Sequence, residues 1–130
     1  MASPLLSLFF LPALAAADPC AGIDRALAEA DRTALAPLIG RQLELRGVTI
    51  RESLHSGDWR VFLIGARGAD DSFVFYAGDP ASQRYVDAIG TFALPDGEAA
   101  IRRWLTESFT TMPGALAACV AHVAAEAAKS

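Results

Sequence analysis

The two histidines are the side chains of this sequence whose charge can change near neutral pH. His55 stands between Ser53 and Ser56, with Asp58 close behind. A histidine hydrogen-bonded to a serine hydroxyl acts as its general base once a carboxylate orients the ring, so these residues leave a small hydrolase open as a function. The alternative is a solvated histidine at a hairpin turn, and the glycine between Ser56 and Asp58 favours such a turn.

Three aspartates form a second candidate set for chemistry. Asp70, Asp71 and Asp79 accompany turn signals, and their carboxylates could converge on a calcium ion or act as an acid-base pair. Aspartate is also an ordinary turn residue, because its side chain accepts hydrogen bonds from nearby backbone amides. The sequence contains no calcium-loop, phosphate-loop or dinucleotide-binding pattern, and it therefore predicts no cofactor.

Cys20 and Cys119 are the only cysteines of the chain. Cys119 and His122 stand one helical turn apart, as zinc ligands can, but Cys20 and His55 do not supply the second closely spaced pair that is usual in zinc sites. Both cysteines lie on apolar stripes of helical period, and an even number of cysteines is typical of disulfides in exported proteins. We predict a structural Cys20–Cys119 disulfide that joins the first and last helices, and no metal site.

The first residues of the chain have the pattern of a secretory signal. A mostly apolar run covers residues 5–11, and alanines at 15–17 precede the predicted cleavage point. The residues before Cys20 do not fit a lipoprotein signal, and no later segment has the about 20 apolar residues that a transmembrane helix needs. We predict a cleavable signal peptide at 1–17 and a single domain at 18–130, exported to the periplasm or secreted without a membrane anchor. The alternative, a buried N-terminal helix, would be interrupted by two prolines.

The composition excludes one large class of partner. A chain of 130 residues has room for one domain with its own core. Its net charge is −4, and its lysines and arginines are scattered along the sequence. Nucleic-acid-binding proteins instead carry clustered basic residues, so we predict no nucleic-acid partner.

The hydrophobic period divides the domain into three parts. Helical spacing predicts a first helix over about residues 18–39. Apolar runs separated by turn signals between 42 and 92 predict an antiparallel meander of three or four strands, and helical spacing returns in two segments after Pro95. The predicted fold is α+β in the order α-β-β-β-β-α-α. The predicted disulfide and the short connection at 110–113 place all three helices on one face of the sheet.

The two central strands are apolar at nearly every position, so both of their faces need cover. With all helices on one face, the cover of the other face must come from outside the chain. We therefore expect a non-catalytic binding or inhibitory module that meets a protein partner, or a second copy in a homodimer, through this sheet face. The predicted binding surface consists of Arg60, Phe62, Ile64, Val74 and Tyr76.

Two other functions remain open at this point. A hydrolase would use His55 or the turn aspartates at a cleft where titratable groups meet. A carrier of small apolar ligands would instead enclose a cavity between sheet and helices. The aromatic side chains that would line such a cavity are Trp59, Phe62, Phe73, Phe75 and Tyr76.

Overall fold

The computed structural model describes residues 17–129 and shows an N-terminal helix, a four-stranded antiparallel sheet and two C-terminal helices. The predicted α+β order is confirmed, whereas residues 1–16 of the predicted signal peptide lie outside the described residues. The helices are α1 (Glu29–Leu43), α2 (Glu98–Ser108) and α3 (Gly114–Ala127). The strands are neighbours in sequence order: β1 (Thr49–Ser56), β2 (Trp59–Ala66), β3 (Ala69–Tyr76) and β4 (Asp87–Gly90).

The prediction that the first helix begins near residue 18 is wrong. The segment before α1 is a turn followed by an extended stretch. The Asp18 carboxylate accepts a hydrogen bond from the Cys20 backbone N–H at 2.9 Å, as a helix cap would, yet only a turn follows. Asp24 then pairs with His55 through two backbone hydrogen bonds of 3.1 and 2.9 Å. These bonds hold the extended stretch against β1. We call residues 18–24 the clasp.

The Cys20–Cys119 disulfide is present, with its sulfur atoms 2.07 Å apart. Both side chains are buried. Because Cys20 belongs to the clasp, the bond ties the clasp to α3, and the prediction that it joins the first and last helices is wrong. The disulfide therefore does not determine which face of the sheet α1 covers.

The end of α1 also differs from the prediction, since the helix continues past residue 39 to Leu43. Gly40 lies inside the helix, where a Cβ atom would stand 3.0 Å from the Leu45 carbonyl oxygen. Glu44 caps the end of the helix: it adopts the left-handed conformation with φ at 59° and donates its backbone N–H to the Gly40 oxygen. Gly40 thus permits a close approach of the returning chain rather than ending the helix.

The first face of the sheet packs beneath α2, α3 and the clasp. Alternate side chains of β2 and β3 point to this face, as the two-residue period of a strand requires. They form one buried core with Leu105 of α2, Leu116 of α3 and Ile23 of the clasp. The strand residues in this core are Leu54, Trp59, Val61, Leu63, Phe73 and Phe75.

The second face of the sheet is covered by α1, so the prediction of an uncovered apolar face is wrong. The apolar side chains predicted to form the binding surface are at most 1% exposed and pack with Ile39 of α1. The physical reason is that the three helices divide between the two faces, and α1 covers the strand positions that α2 and α3 do not reach. The predicted surface residues are four buried side chains and one half-buried arginine: Phe62, Ile64, Val74, Tyr76 and Arg60.

Candidate functional site

His55 contacts backbone and clasp rather than a serine hydroxyl. Its Nε2 atom lies 2.9 Å from the Gly57 carbonyl oxygen, and its Nδ1 atom lies 3.9 Å from Oδ2 of Asp24. A carbonyl oxygen only accepts hydrogen bonds, so Nε2 carries the proton in this contact. Among residues 17–129 the ring makes no hydrogen bond to Ser53 or Ser56. The arrangement joins the β1–β2 turn to the clasp and does not activate a nucleophile.

The turn aspartates lie at opposite ends of the sheet, because successive turns of an antiparallel meander alternate between its ends. Asp70 and Asp71 lie beside the β2–β3 turn, and Asp79 follows β3. Asp71 Oδ2 is 3.0 Å from Nε of Arg51. Asp79 Oδ1 instead accepts a hydrogen bond from the Ala81 backbone N–H at 3.0 Å. The described part of the chain holds no group of three or more His, Cys, Asp or Glu residues that could bind a metal ion.

His122 and Cys119 do not form a zinc-ligand pair. The Cys119 sulfur is bonded to Cys20, which removes the thiolate that zinc would need. Nδ1 of His122 lies 3.3 Å from Oε1 of Glu98 and connects α3 to the first turn of α2. His122 therefore links two helices.

The aromatic side chains considered for a ligand cavity are divided between the two cores. Trp59, Phe73 and Phe75 belong to the first face, whereas Phe62 and Tyr76 belong to the second. The Phe62 and Tyr76 rings pack edge to face, with their centroids 5.9 Å apart. The backbone of the sheet separates the two groups, so the five side chains cannot line one enclosed cavity.

Both edges of the sheet have features that oppose the addition of another strand. The clasp pairs with the β1 edge at His55, and the Arg32 side chain donates a hydrogen bond to the Ile50 carbonyl oxygen. On β4, the Ala88 backbone N–H donates to Oδ1 of Asp87 at 2.8 Å. Occupied backbone groups and edge charges hinder pairing with a further strand.

An open hollow of about 960 Å3 lies at the β2–β3 turn end of the molecule, and we call it the end groove. Its walls come from this turn, the 3₁₀ helix Thr91–Ala93, the N-terminus of α2 and the C-terminus of α3. Its floor includes the buried side chains Ile101 and Ala124. The groove thus combines an apolar floor with walls from four different segments.

Phe92 is the most exposed large apolar side chain on the described surface and lies on the wall of the end groove. It is 79% exposed, whereas Val86, the other exposed large apolar residue, is 51% exposed and is not part of the groove. The Phe92 ring lies against Gly90, where a Cβ atom would stand 2.5 Å from ring atom Cε1. A larger residue at position 90 would push the ring away from the backbone of β4. The ring is therefore supported by its own chain while it faces solvent.

Four carboxylates and one ammonium group line the end groove, and most of them already have a partner. Asp71 pairs with Arg51 at 3.0 Å, and Glu98 contacts His122. Lys129 donates a hydrogen bond to Glu126 at 3.0 Å; this bond lowers the pKa of Glu126 and raises that of Lys129. Two exposed carboxylates have no ion-pair partner within residues 17–129: Asp70 and Asp96.

Comparison with protein-family models, curated proteins and solved structures finds no match to this chain. Function must therefore be argued from the geometry of the molecule itself. Within the described residues, no helix is long and apolar enough to cross a membrane.

Sequence reasoning did not single out Phe92 or the end groove. The local signal was the pair Gly90 and Phe92, in which a glycine stands two residues before an aromatic near a strand end. The exposure of Phe92 depends on where α2 and α3 end relative to β4, which no local pattern encodes.

Proposed function

We propose that this chain is an exported, non-catalytic protein-binding module that takes its partner at the end groove, with Phe92 as the anchoring side chain. The main observation behind the proposal is that the Phe92 ring is exposed to solvent at the groove wall while it lies against the backbone of Gly90. Aromatic side chains dominate the energetics of many protein interfaces.

Two observations support export. The sequence of residues 1–17 has the features of a cleavable signal, and the buried Cys20–Cys119 disulfide is of the kind that forms in oxidising compartments. The partner would then be another exported protein or an envelope protein.

The positions of the acid-base side chains support a binding role over catalysis. His55 bonds to a carbonyl oxygen, and His122 contacts a glutamate of the neighbouring helix. An active site would need titratable groups that face a common reacting atom. The end groove offers carboxylates and an aromatic ring, but neither histidine lies on its wall.

A different protein suits the end groove better than a second copy of this chain. In a two-fold dimer each copy presents the same patch to the other. Asp70 and Asp96 of both copies would then face one another, and like charges in close approach repel. The proposal is therefore a monomer that binds a distinct partner.

Site-specific photocrosslinking in the exporting cell tests this function. A benzoylphenylalanine placed at Phe92 should give a discrete crosslinked product, because this ring would lie within the interface. The same residue placed at Val86, which is also exposed but outside the groove, is the matched control. Identical products from both positions, or no product from either, would argue against the proposal. Light scattering of the purified protein should report a monomer.

A further inference from the structure

We infer that the partner segment presents an arginine next to an apolar side chain, with the guanidinium held between the Phe92 ring and the carboxylates of Asp70 and Asp96, which have no ion-pair partner within residues 17–129. This inference rests on the function proposed above and specifies the chemistry of the occupant.

The apolar part of the occupant is indicated by the partly exposed apolar residues of the end groove. Leu94, Pro95 and Ala125 line the hollow, are partly exposed and carry no polar side-chain atoms, whereas the floor residues Ile101 and Ala124 are already buried. Phe92 extends this apolar surface into solvent. An aliphatic side chain that covers these partly exposed residues and the edge of the ring would remove this surface from water.

The positive charge of the occupant is indicated by the two carboxylates on the groove rim that have no ion-pair partner within residues 17–129. Asp71, Glu98 and Lys129 already have charged or ionisable partners. Asp70 and Asp96 lie on the same rim without one among residues 17–129, so a cationic segment would complete the ion pairing while an anionic one would be repelled.

Arginine suits the combination of an aromatic ring and carboxylates better than lysine or a metal ion does. Its planar guanidinium stacks on an aromatic face and bonds a carboxylate through two parallel N–H groups. Lysine is a compact, strongly hydrated point charge and gains less from the ring. A bound metal ion would need several converging ligands, and no such group occurs in the described part of the chain.

Peptide binding to the purified, oxidised protein tests the inference. The probe is a short fluorescein-labelled peptide in which arginine alternates with leucine, compared with lysine and glutamate versions of the same length. We expect the arginine peptide to bind, its affinity to fall with rising salt, and the lysine peptide to bind about two- to fivefold more weakly. The glutamate peptide should not bind.

Groove variants separate specific binding from general attraction to an acidic protein. Asp96→Asn should weaken the arginine peptide by about two- to fivefold, and Phe92→Ala should remove the preference for arginine over lysine. The matched control is Asp58→Asn, an exposed aspartate at the β1–β2 turn, outside the groove; it should leave binding unchanged. Equal weakening by Asp58→Asn, or equal binding of the glutamate peptide, overturns the inference.

The two proposals fail in distinguishable ways. If crosslinks form at Phe92 but the arginine peptide does not bind, the binding function stands and the occupant has another chemistry. If neither crosslinks nor peptide binding is found, both proposals are wrong. If the peptide binds but Phe92→Ala leaves the preference for arginine over lysine intact, the end groove is not the site and this inference fails.

Discussion

The two faces of the sheet are buried by different means. On the first face, rings from sheet and helix pack closely: Phe75 and Phe109 have centroids 4.7 Å apart, and Trp59 lies 5.5 Å from Phe109. The disulfide adds a covalent link from the clasp to α3. On the second face, α1 contains Pro37 and contributes Ile39 as its one fully buried large side chain. The first face is therefore held by ring packing and a disulfide, whereas the second is covered by one helix that contains a proline.

This difference indicates where the molecule should open first. Local unfolding favours segments with few buried apolar contacts, and α1 is the helix with the fewest buried positions relative to its length. Its far end is held by polar contacts, since Gln42 accepts a hydrogen bond from the Tyr76 hydroxyl at 2.7 Å and donates to the Pro80 oxygen at 3.3 Å. We therefore expect the first face to carry most of the stability.

The largest effect should come from removing the disulfide. Replacing both Cys20 and Cys119 by alanine frees a loop with a sequence separation of 99, and the chain-entropy model puts the loss at about 4 to 5 kcal/mol in the free energy of unfolding. Urea unfolding followed by circular dichroism measures this loss. Hydrogen exchange at the His55 amide, which bonds to Asp24 in the clasp, should accelerate more than exchange in α1. Equal acceleration in both places would contradict the separation of the two faces.

A matched pair of aromatic truncations compares the two cores directly. Phe75 and Phe62 are both 0% exposed. Phe75 packs against three other rings, whereas Phe62 packs edge to face with Tyr76 and lies under α1. Phe-to-Ala changes in cores cost about 3 to 5 kcal/mol, and the cost is smaller where neighbours can collapse into the cavity. We expect Phe75→Ala to lie near the upper limit and Phe62→Ala near the lower. A larger loss for Phe62→Ala in denaturant unfolding would show that α1 is the more rigid cover.

The smallest effect should come from the Tyr76 hydroxyl on the second face. Burial, and then the nearby Tyr85, raises the pKa of Tyr76 from 10.0 to about 12, although Arg84 lowers it. Because the folded pKa exceeds the unfolded one, the stabilisation is complete below pH 10.0 and is lost as the pH rises towards 12. Thermal unfolding over this range should show a falling midpoint. Tyr76→Phe should reduce the fall while costing about 1 kcal/mol at neutral pH; an undiminished fall would contradict this assignment.

Much of the architecture could be predicted because it depends on local chemistry. The strand and turn order followed from Ser56 to Asp58, from the turn at Gly68 and from the change of period at Pro95. The pairing of Cys20 with Cys119 followed from there being only two cysteines. The apolar character of both parities in β2 and β3 indicated that both faces of the sheet need cover, but the prediction that a partner covers the second face was wrong, because α1 covers it.

The sequence by itself determined the elements, their order and the disulfide pair, because these follow from spacing, turn residues and cysteine count. Only the tertiary structure decided which helix covers which face. A strand buried on both sides has the same apolar pattern whether its second cover is α1 or a partner. The pattern of residues 18–28 is compatible with a helix, but the backbone pairing of Asp24 with His55 makes the segment extended there. The exposure of Phe92 was likewise decided by where α2 and α3 end, since burial depends on neighbours distant in sequence rather than on the residue itself.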